Sequence, residues 1–461
     1  MDSRAPLISV AGVPGWSLEK LAAAQPERYP VFLESAARGA LARFSMLCAA
    51  PRAALWRDAT GVIGGFGVTP RSGGFFDNLE AWVRATPKPR PEVPAGPLAH
   101  IPFRGGWIVY LGYEIAAEIE RLKLPPARTP LTAFALRVEH FAVHDLVTER
   151  LFAVSEVPDR AAHAALVADL LPRGAATSPL EGAPVPIENL DEEAPEHFLE
   201  RVRRAQEHIA AGDVYQANLS RPWRARLRPG STAADVYAAL RRANPAPFAA
   251  SVRFGGMTIL SSSPERLLKI VGRDISTRPI AGTRPRHGSS EQDQRETAEL
   301  VAHPKERAEH VMLIDLERND LGRVCEAGSV EVDEYMVTES YTHVHHIVSN
   351  VRGRLRADRD AIDALRALFP GGTITGCPKV RCMQLIAALE GEGRGAYTGS
   401  LGWLGTDGDA DFNILIRTLT MHDREIEFRA GAGIVADSVP EHELEETRAK
   451  ARGLLRAFEC P

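Results

Sequence analysis

Two Glu-x-x-Glu pairs, far apart in the chain, place the strongest single demand on how it can fold. The first, Glu306 and Glu309, lies in His303-Pro-Lys-Glu-Arg-Ala-Glu-His310, which runs on through Val311-Met-Leu-Ile-Asp-Leu-Glu-Arg-Asn-Asp320. Pro304 suits the first turn of a helix, and the residues after it are good helix formers. Residues three apart on a helix share a face. Two carboxylates held side by side repel unless a cation or a proton sits between them. The second pair, Glu443 and Glu446, occurs near the C-terminus in Glu441-His-Glu-Leu-Glu-Glu-Thr-Arg-Ala-Lys450. A lone Glu-x-x-Glu is ordinarily a solvated helix face. The chemistry around these two favours a different arrangement, in which they face each other across one Mg2+ ion. The fold must then bring two distant helices to one cavity.

With 461 residues the chain exceeds one ordinary domain. A hydrophobic content of 44% and a charged content of 25% are those of a soluble globular protein. The net charge of -5 gives no general reason to expect nucleic-acid or anionic-membrane partners. No apolar run is long enough to span a bilayer, and no signal-peptide core follows Met1. Cys48, Cys325, Cys377, Cys382 and Cys460 are scattered, odd in number and without zinc-ligand spacing, which fits a reducing cytoplasm. Cys377 and Cys382 are spaced wrongly for a redox motif and read as core or lining residues.

Along the chain, short apolar runs broken by turn signals predict strands at Tyr29–Ser35, Ala53–Trp56 and Gly105–Gly112, with a hairpin over Phe141–Val147 and Arg150–Val154. From Pro195 an amphipathic helix puts Phe198, Val202, Ala205 and Ile209 on one stripe. Helices and strands then alternate to the end without a regular crossover period, with single strands expected at Phe412–Leu419, Glu425–Phe428 and Ala432–Val435. The expectation is an α+β fold with large antiparallel sheets. Its N-terminal region spans residues 1–171, a linker rich in Pro, Gly and acids spans 172–194, and the main domain spans 195–461.

Several stretches carry chemistry. Glu265 follows Pro264 at a strand end, where a carboxylate can serve as a general acid, although alone it is more often a loop acid. Arg278-Pro-Ile-Ala-Gly-Thr-Arg-Pro-Arg286 combines three arginines that attract anions with a glycine that lets a ligand approach the backbone. An ordinary basic turn accounts for it about as well. His345 and His346 lie in one strand and point to opposite faces, so at most one lines a given site. Pro370-Gly-Gly-Thr-Ile-Thr-Gly-Cys-Pro-Lys379 is a glycine-rich turn leading into a helix, with free N–H groups suited to carboxylate or phosphate. Its spacing is not that of a P-loop, and nucleotide binding is disfavoured. Ala430-Gly-Ala-Gly-Ile434 is a second backbone cradle, and Arg417 in an apolar strand needs an anionic partner if buried. Together these suit a small dicarboxylate held partly through Mg2+, a hard ion that prefers oxygen ligands and keeps waters.

Lys305-Glu-Arg-Ala-Glu-His310, Arg318-Asn-Asp-Leu-Gly322, His346-Ile-Val-Ser349, Gly372-Thr-Ile-Thr-Gly-Cys-Pro-Lys379 and Glu443-Leu-Glu-Glu-Thr-Arg-Ala-Lys450 resemble the chorismate-utilising enzymes from about residue 196 to the end. Residues 27 to 120 look like that family's more variable N-terminal region. The resemblance implies a two-domain α/β sandwich with interleaved N- and C-terminal parts and chorismate in a deep cleft. It implies that Glu309 and Glu446 are Mg2+ ligands, supported directly or through water by Glu306 and Glu443. It gives substrate contacts to Gly282, Thr283, Tyr397, Arg417, Gly431, Ala432, Gly433 and Lys450. His346 and Thr373 match residues beside the reacting ring and its side chain, and Glu265 matches the acid that protonates the departing C4 hydroxyl. A non-catalytic binding subunit is disfavoured because all four glutamates and Glu265 are present.

Within that family, enzymes that use water place a lysine where this chain has Gln216. Its absence implies ammonia as nucleophile and a glutamine-amidotransferase partner subunit. Gln216-Ala-Asn-Leu-Ser220, Ser261-Ser-Ser-Pro-Glu265, Thr373-Ile-Thr-Gly376 and Phe412-Asn-Ile-Leu-Ile-Arg417 look more like the large subunit of aminodeoxychorismate synthases, the folate branch, than like anthranilate synthases, the tryptophan branch. Ala281 points the other way, because well-studied aminodeoxychorismate synthases carry a nucleophilic lysine there. Leu33-Glu34-Ser35 with Asn244-Pro-Ala-Pro247-Phe248 resembles the tryptophan pocket of both subfamilies, though ordinary packing explains it equally well.

Overall fold

In the computed structural model, strand Gly106–Leu111 shows why the chain builds stacked layers. All six of its residues are buried. Trp107, Val109 and Leu111 enter one core while Ile108 and Tyr110 enter another, as alternation along a strand requires. A strand apolar on both faces needs a layer on each side. The second of these cores collects Met46, Phe141, Val252 and Ile259 from one sheet with Ile108, Phe134 and Leu136 from the other, so it is the filling between two sheets. The structure describes residues 7–11, 17–37, 42–87, 100–171, 182–286, 290–340 and 344–459.

Among the described residues one sheet has 13 strands and the other 11. The first runs from Leu7–Ala11, Arg150–Ser155, His140–Asp145, Phe44–Cys48 and Val31–Glu34 into Phe248–Phe254, Met257–Ser263, Thr418–His422, Glu425–Ile434, Gln216–Leu227 and Val185–Glu192. The second joins Ile280–Pro285, Val344–Arg354, Asp274–Arg278, Arg266–Val271, Ala410–Asn413 and Ser400–Gly405 to Gly106–Leu111, Leu131–Val138 and Ala53–Asp58. Among the described residues every pairing is antiparallel except Val185–Pro186 with Phe458–Glu459. Each sheet therefore draws strands from both ends of the chain, and the expected α+β sandwich with interleaved parts is what forms.

Helices cover the outer faces. Phe198, Val202 and Ala205 are fully buried on the stripe expected of them, against Leu385, Ile386 and Leu219. The two glutamate-bearing helices come from different sheets. Helix Pro304–Gly322 lies on strands Ile280–Pro285 and Val344–Arg354, whereas helix Pro440–Leu455 lies on Glu425–Ile434.

The structure corrects some expectations. Residues 172–181 of the expected linker lie outside the described residues, but Val185–Glu192 within it is a strand. Val185 and Ile187 alternate into the core beneath a run of acids that masks the pattern. The single strand expected at Phe412–Leu419 is two, Ala410–Asn413 in one sheet and Thr418–His422 in the other. The chain crosses between sheets here, and Arg417 takes a left-handed conformation at φ 50° to make the turn. Conversely, Glu425–Ile434 is one continuous strand because Gly431 and Gly433 stay within the ladder to Gln216–Leu227.

Strands Gln216–Leu227 and Glu425–Ile434 are pinned together where they matter. Trp223 stacks on its cross-strand partner Phe428 at 5.6 Å. One step along the strand from the site, Ser220 donates through its N–H and hydroxyl to Glu390 Oε1 at 2.8 and 3.0 Å. Arg394 and Arg429 reach the same carboxylate at 2.6 and 3.1 Å. Burial alone would raise the Glu390 pKa; the two guanidinium groups overcome it and hold it at about 2. Glu390→Gln leaves two buried arginines without their shared anion, and we expect a loss of about 3–5 kcal/mol at pH 7 by urea denaturation. Because the folded pKa is depressed from 4.5, the advantage of the parent over the variant is full above pH 4.5 and shrinks as pH falls toward 2. Equal stability of the two proteins at pH 7 would remove this cluster as the anchor.

Candidate active site

The two acidic pairs meet. Glu309 accepts a hydrogen bond from Gln216 Nε2 at 3.0 Å. Its pKa is raised above the ordinary carboxylate range, first by burial and then by the negative charges of Glu306 and Glu446, against the pull of Gln216 and Lys450. Glu446, on the far helix, acts electrostatically on Glu309, so the two helices bring their acids into one neighbourhood. Glu446 is bridged to Lys450 Nζ at 2.7 Å, and Lys450 also donates to the Gly431 carbonyl at 2.9 Å. Burial works against the Lys450 charge, but Glu446 more than offsets it and the pKa ends raised. Glu443 is buried in the first turn of the same helix. Glu306 stands 3.4 Å from Arg284 and against Gly282. Gly282 is left-handed at φ 59°, and a Cβ on it would come within 2.8 Å of Glu306 Oε2.

Among the described residues no three His, Cys, Asp or Glu side chains close into a metal cage by themselves. The donor set is nonetheless all oxygen, with like charges crowded enough to raise Glu309. That fits a hard cation held by one or two carboxylates while retaining waters, and Mg2+ binds in that way.

At the other end of the cleft lies Glu265, only 5% exposed, at the end of strand Met257–Ser263. Burial drives its pKa from 4.5 to about 7, against the opposing pull of Thr373, the Ile280 backbone, Lys450 and Arg417. The 3-10 turn Gly372–Ile374 carries Thr373 to this acid. Neither Glu265 Oε1 nor Thr373 Oγ1 completes a hydrogen bond among the described residues. Near neutrality this carboxyl is therefore partly protonated, with Oε1 unpartnered among the described residues. Arg417, half-buried at the sheet-to-sheet crossing, has its pKa lowered by burial in spite of Glu265. No ion pair to its guanidinium occurs among the described residues.

His346 is held by the backbone of Gly282. Burial and the Arg417 charge press its pKa to about 3, so the ring is neutral at physiological pH. His345 points the opposite way, to Ser340 Oγ at 2.8 Å and Asp293 at 3.6 Å, and takes no part. Thr283 pairs with His346 through its backbone, but its side chain lies outside the described residues. Tyr397 is buried beneath the Arg394 guanidinium at 5.5 Å. Gly433 sits against Gln216 and Glu309, and Gly431 against Tyr397 and Asn218. Ala432, between them, turns its side chain into the apolar core, so only its backbone faces the cleft side.

Away from the cleft, Glu34, Ser35, Pro247 and Phe248 line a cavity of about 490 Å³ between the N-terminal strands and the second sheet. Glu34 is neutralised by Arg241 at 2.7 Å and accepts from Tyr237 at 3.0 Å. Sequence reasoning missed Asn218 as a site residue, although its placement two residues after Gln216 puts both on one strand face. It also missed Glu317, a buried acid beside Gly372 and Thr277 whose pKa is raised by burial and by Asp320.

Comparison with known proteins accords with this geometry. The model of the chorismate binding enzyme family matches residues 52–456. The chain is 41% identical to "Anthranilate synthase component 1" of Streptomyces coelicolor, over 90% of this chain and 85% of that protein. It is 42% identical to "Aminodeoxychorismate synthase component 1" of Bacillus subtilis, over 77% of each. Among solved structures, anthranilate synthase component I from Streptococcus pneumoniae superposes with a TM-score of 0.78 at 32% identity, covering 91% of this chain and 93% of that one. A two-sheet α+β sandwich, acids from two helices gathered in one cleft, and relatives that match along nearly the whole length lead to one conclusion: the chain belongs to the chorismate binding enzyme family.

Proposed function

We propose that this chain is the large subunit of an aminodeoxychorismate synthase, converting chorismate and ammonia to 4-amino-4-deoxychorismate and water on the route to 4-aminobenzoate and folate. The observation that carries the ammonia chemistry is Gln216. It occupies the position where water-using relatives place a basic lysine, and it is committed through Nε2 to Glu309. An amide cannot take a proton from water, so the nucleophile must arrive already competent, as ammonia does. A glutamine amidotransferase subunit is the source that fits.

Chorismate carries two carboxylates, and the cleft offers them Lys450, Arg417, the Tyr397 hydroxyl and the backbone at Gly282, Gly431 and Gly433. Glu309 and Glu446, with Glu306 and Glu443 beside them, would hold Mg2+. Bound there, Mg2+ supplies a Lewis acid at a substrate carboxylate and relieves the crowded negative charge. Glu265, in the protonated fraction that a pKa of about 7 leaves near neutrality, donates its proton to the C4 hydroxyl so that water leaves rather than hydroxide. Thr373 lies beside that acid and the neutral ring of His346 beside Gly282, where they shape the ring pocket.

Anthranilate, with loss of pyruvate, is the second reading. Ala281 favours it, standing where aminodeoxychorismate synthases place a lysine, and so do the names of most relatives. The cavity at Glu34 and Phe248 would take L-tryptophan in either case, as a structural or a feedback ligand.

The deciding measurement is product analysis of the protein with chorismate, Mg2+ and an ammonium salt, followed by the lyase that makes 4-aminobenzoate. We expect 4-aminobenzoate only after the lyase is added; fluorescent anthranilate without it assigns the tryptophan branch. Glu309→Gln and Glu446→Gln should each abolish Mg2+-dependent turnover and the rise in Tm that millimolar Mg2+ gives the parent, while both variants stay folded. Full activity in both rejects the metal assignment. For Glu265 the protonated form is the active one and its folded pKa is about 7, so kcat/KM should fall as pH rises through 7. Glu265→Gln should lower kcat about a hundredfold or more and flatten that limb. An unchanged limb in the variant removes Glu265 as the acid.

A further inference from the structure

Strand Gln216–Leu227 turns Gln216, Asn218 and Ser220 to one face. At one end Gln216 Nε2 is committed to Glu309, and at the other Ser220 is committed to Glu390 and Arg429. Asn218 lies between the two. Its backbone is fixed on both sides, with the N–H donating to the Thr375 carbonyl at 3.0 Å and the carbonyl accepting from Arg394 Nη2 at 2.6 Å. Its side-chain Oδ1 is buried and accepts no hydrogen bond among the described residues, and the same holds for Gln216 Oε1. The glycine strand lies against both side chains, Gly431 against Asn218 Oδ1 and Gly433 against the Gln216 amide. A Cβ on Gly431 would come within 2.9 Å of Asn218 Oδ1 and 2.6 Å of the Tyr397 hydroxyl, so the space above Asn218 is kept clear by the glycine.

A buried carbonyl without a donor is unfavourable until a ligand brings one. The carboxylates of a chorismate-like substrate are acceptors only, and Lys450 and Arg417 are there to serve them. Two neutral amide oxygens on one strand face, neither with a donor among the described residues, call instead for a small donor. Ammonia has three N–H bonds and a lone pair on the opposite side. Two N–H bonds directed at the amides leave that lone pair facing the substrate. Being uncharged, the amides do not favour ammonium over ammonia as strongly as a carboxylate in their place would.

We propose that Asn218 Oδ1, paired with Gln216 Oε1, binds the ammonia nucleophile, and that Asn218 is a contact for the nitrogen substrate distinct from those that hold the carboxylates. This rests on the ammonia-using reading given above. Steady-state kinetics of the whole chain, with ammonium chloride and chorismate varied in turn at saturating Mg2+, test it. Asn218→Leu keeps the volume and removes the acceptor; we expect the KM for ammonium to rise about tenfold while the KM for chorismate stays within about twofold. Asn218→Asp keeps an acceptor oxygen and adds a charge; we expect a near-normal KM for ammonium and a raised KM for chorismate.

An unchanged ammonium KM in Asn218→Leu, or a rise confined to chorismate, overturns the proposal. Should that variant fold poorly, Asn218→Asp decides: a tenfold rise in its ammonium KM refutes the role of the acceptor oxygen. Chorismate loss by the unaltered protein that does not depend on ammonium overturns the ammonia reading itself, and this inference with it.

Discussion

Like charges forced into one cavity by two different sheets are the constraint on which the rest of this structure depends. Glu309 arrives on a helix lying over the second sheet, and Glu446 on a helix lying over the first. Neither helix could place its acids there unless the sheets were stacked with these ends adjoining. The stacking is enforced by strands such as Gly106–Leu111, whose two faces are both apolar. The electrostatic cost of the gathered acids is therefore met by packing elsewhere. Lys450, Gln216 and Arg284 each reach one of them and temper the repulsion.

The acid at the opposite end obeys a different balance. Glu265 is surrounded by groups that favour its ionised form, namely Lys450, Arg417 and the Ile280 backbone, yet burial outweighs them and leaves its pKa at about 7. Burial is thus the leading cause that raises both Glu309 and Glu265; neighbouring carboxylates add to it at Glu309, whereas cations oppose it at Glu265. His346 is neutral for a related reason: burial and the adjacent Arg417 both disfavour its cation. The cleft keeps its positive charge on Lys450 and on arginines, which are suited to substrate carboxylates.

Much of this was legible in the chain itself. Helix spacing exposed the acid pairs, and a two-residue period separated His345 from His346, which the structure sends to Ser340 and Gly282 respectively. The apolar stripe of Phe198, Val202 and Ala205 was equally plain. What escaped was set by contacts distant in sequence. Arg417 reads as part of a strand because its neighbours are apolar, and only the need to pass from one sheet to the other turns it left-handed. Val185–Glu192 reads as a linker because five of its eight residues are proline, asparagine or acids; it becomes a strand by pairing with residues on either side of the domain. Asn218 escaped because a single polar residue in a strand has no local signature. The role proposed for it rests on an oxygen without a donor among the described residues, a property of the folded chain alone.

Ala281 acquires a physical meaning from the same balance. It is buried in strand Ile280–Pro285, next to the Ile280 backbone that hydrogen-bonds Glu265. A lysine at this position would add a cation beside an acid whose pKa is already pulled down by two others, and would draw it further toward the ionised form. Alanine leaves burial dominant and the proton in place. On the proposed reading, a chain without that lysine forgoes a covalent route but keeps more of Glu265 in its acid form for the departing hydroxyl. On the proposed ammonia reading the nucleophile comes from outside the chain, and the neighbouring sheet offers it two amide oxygens that accept no hydrogen bond among the described residues.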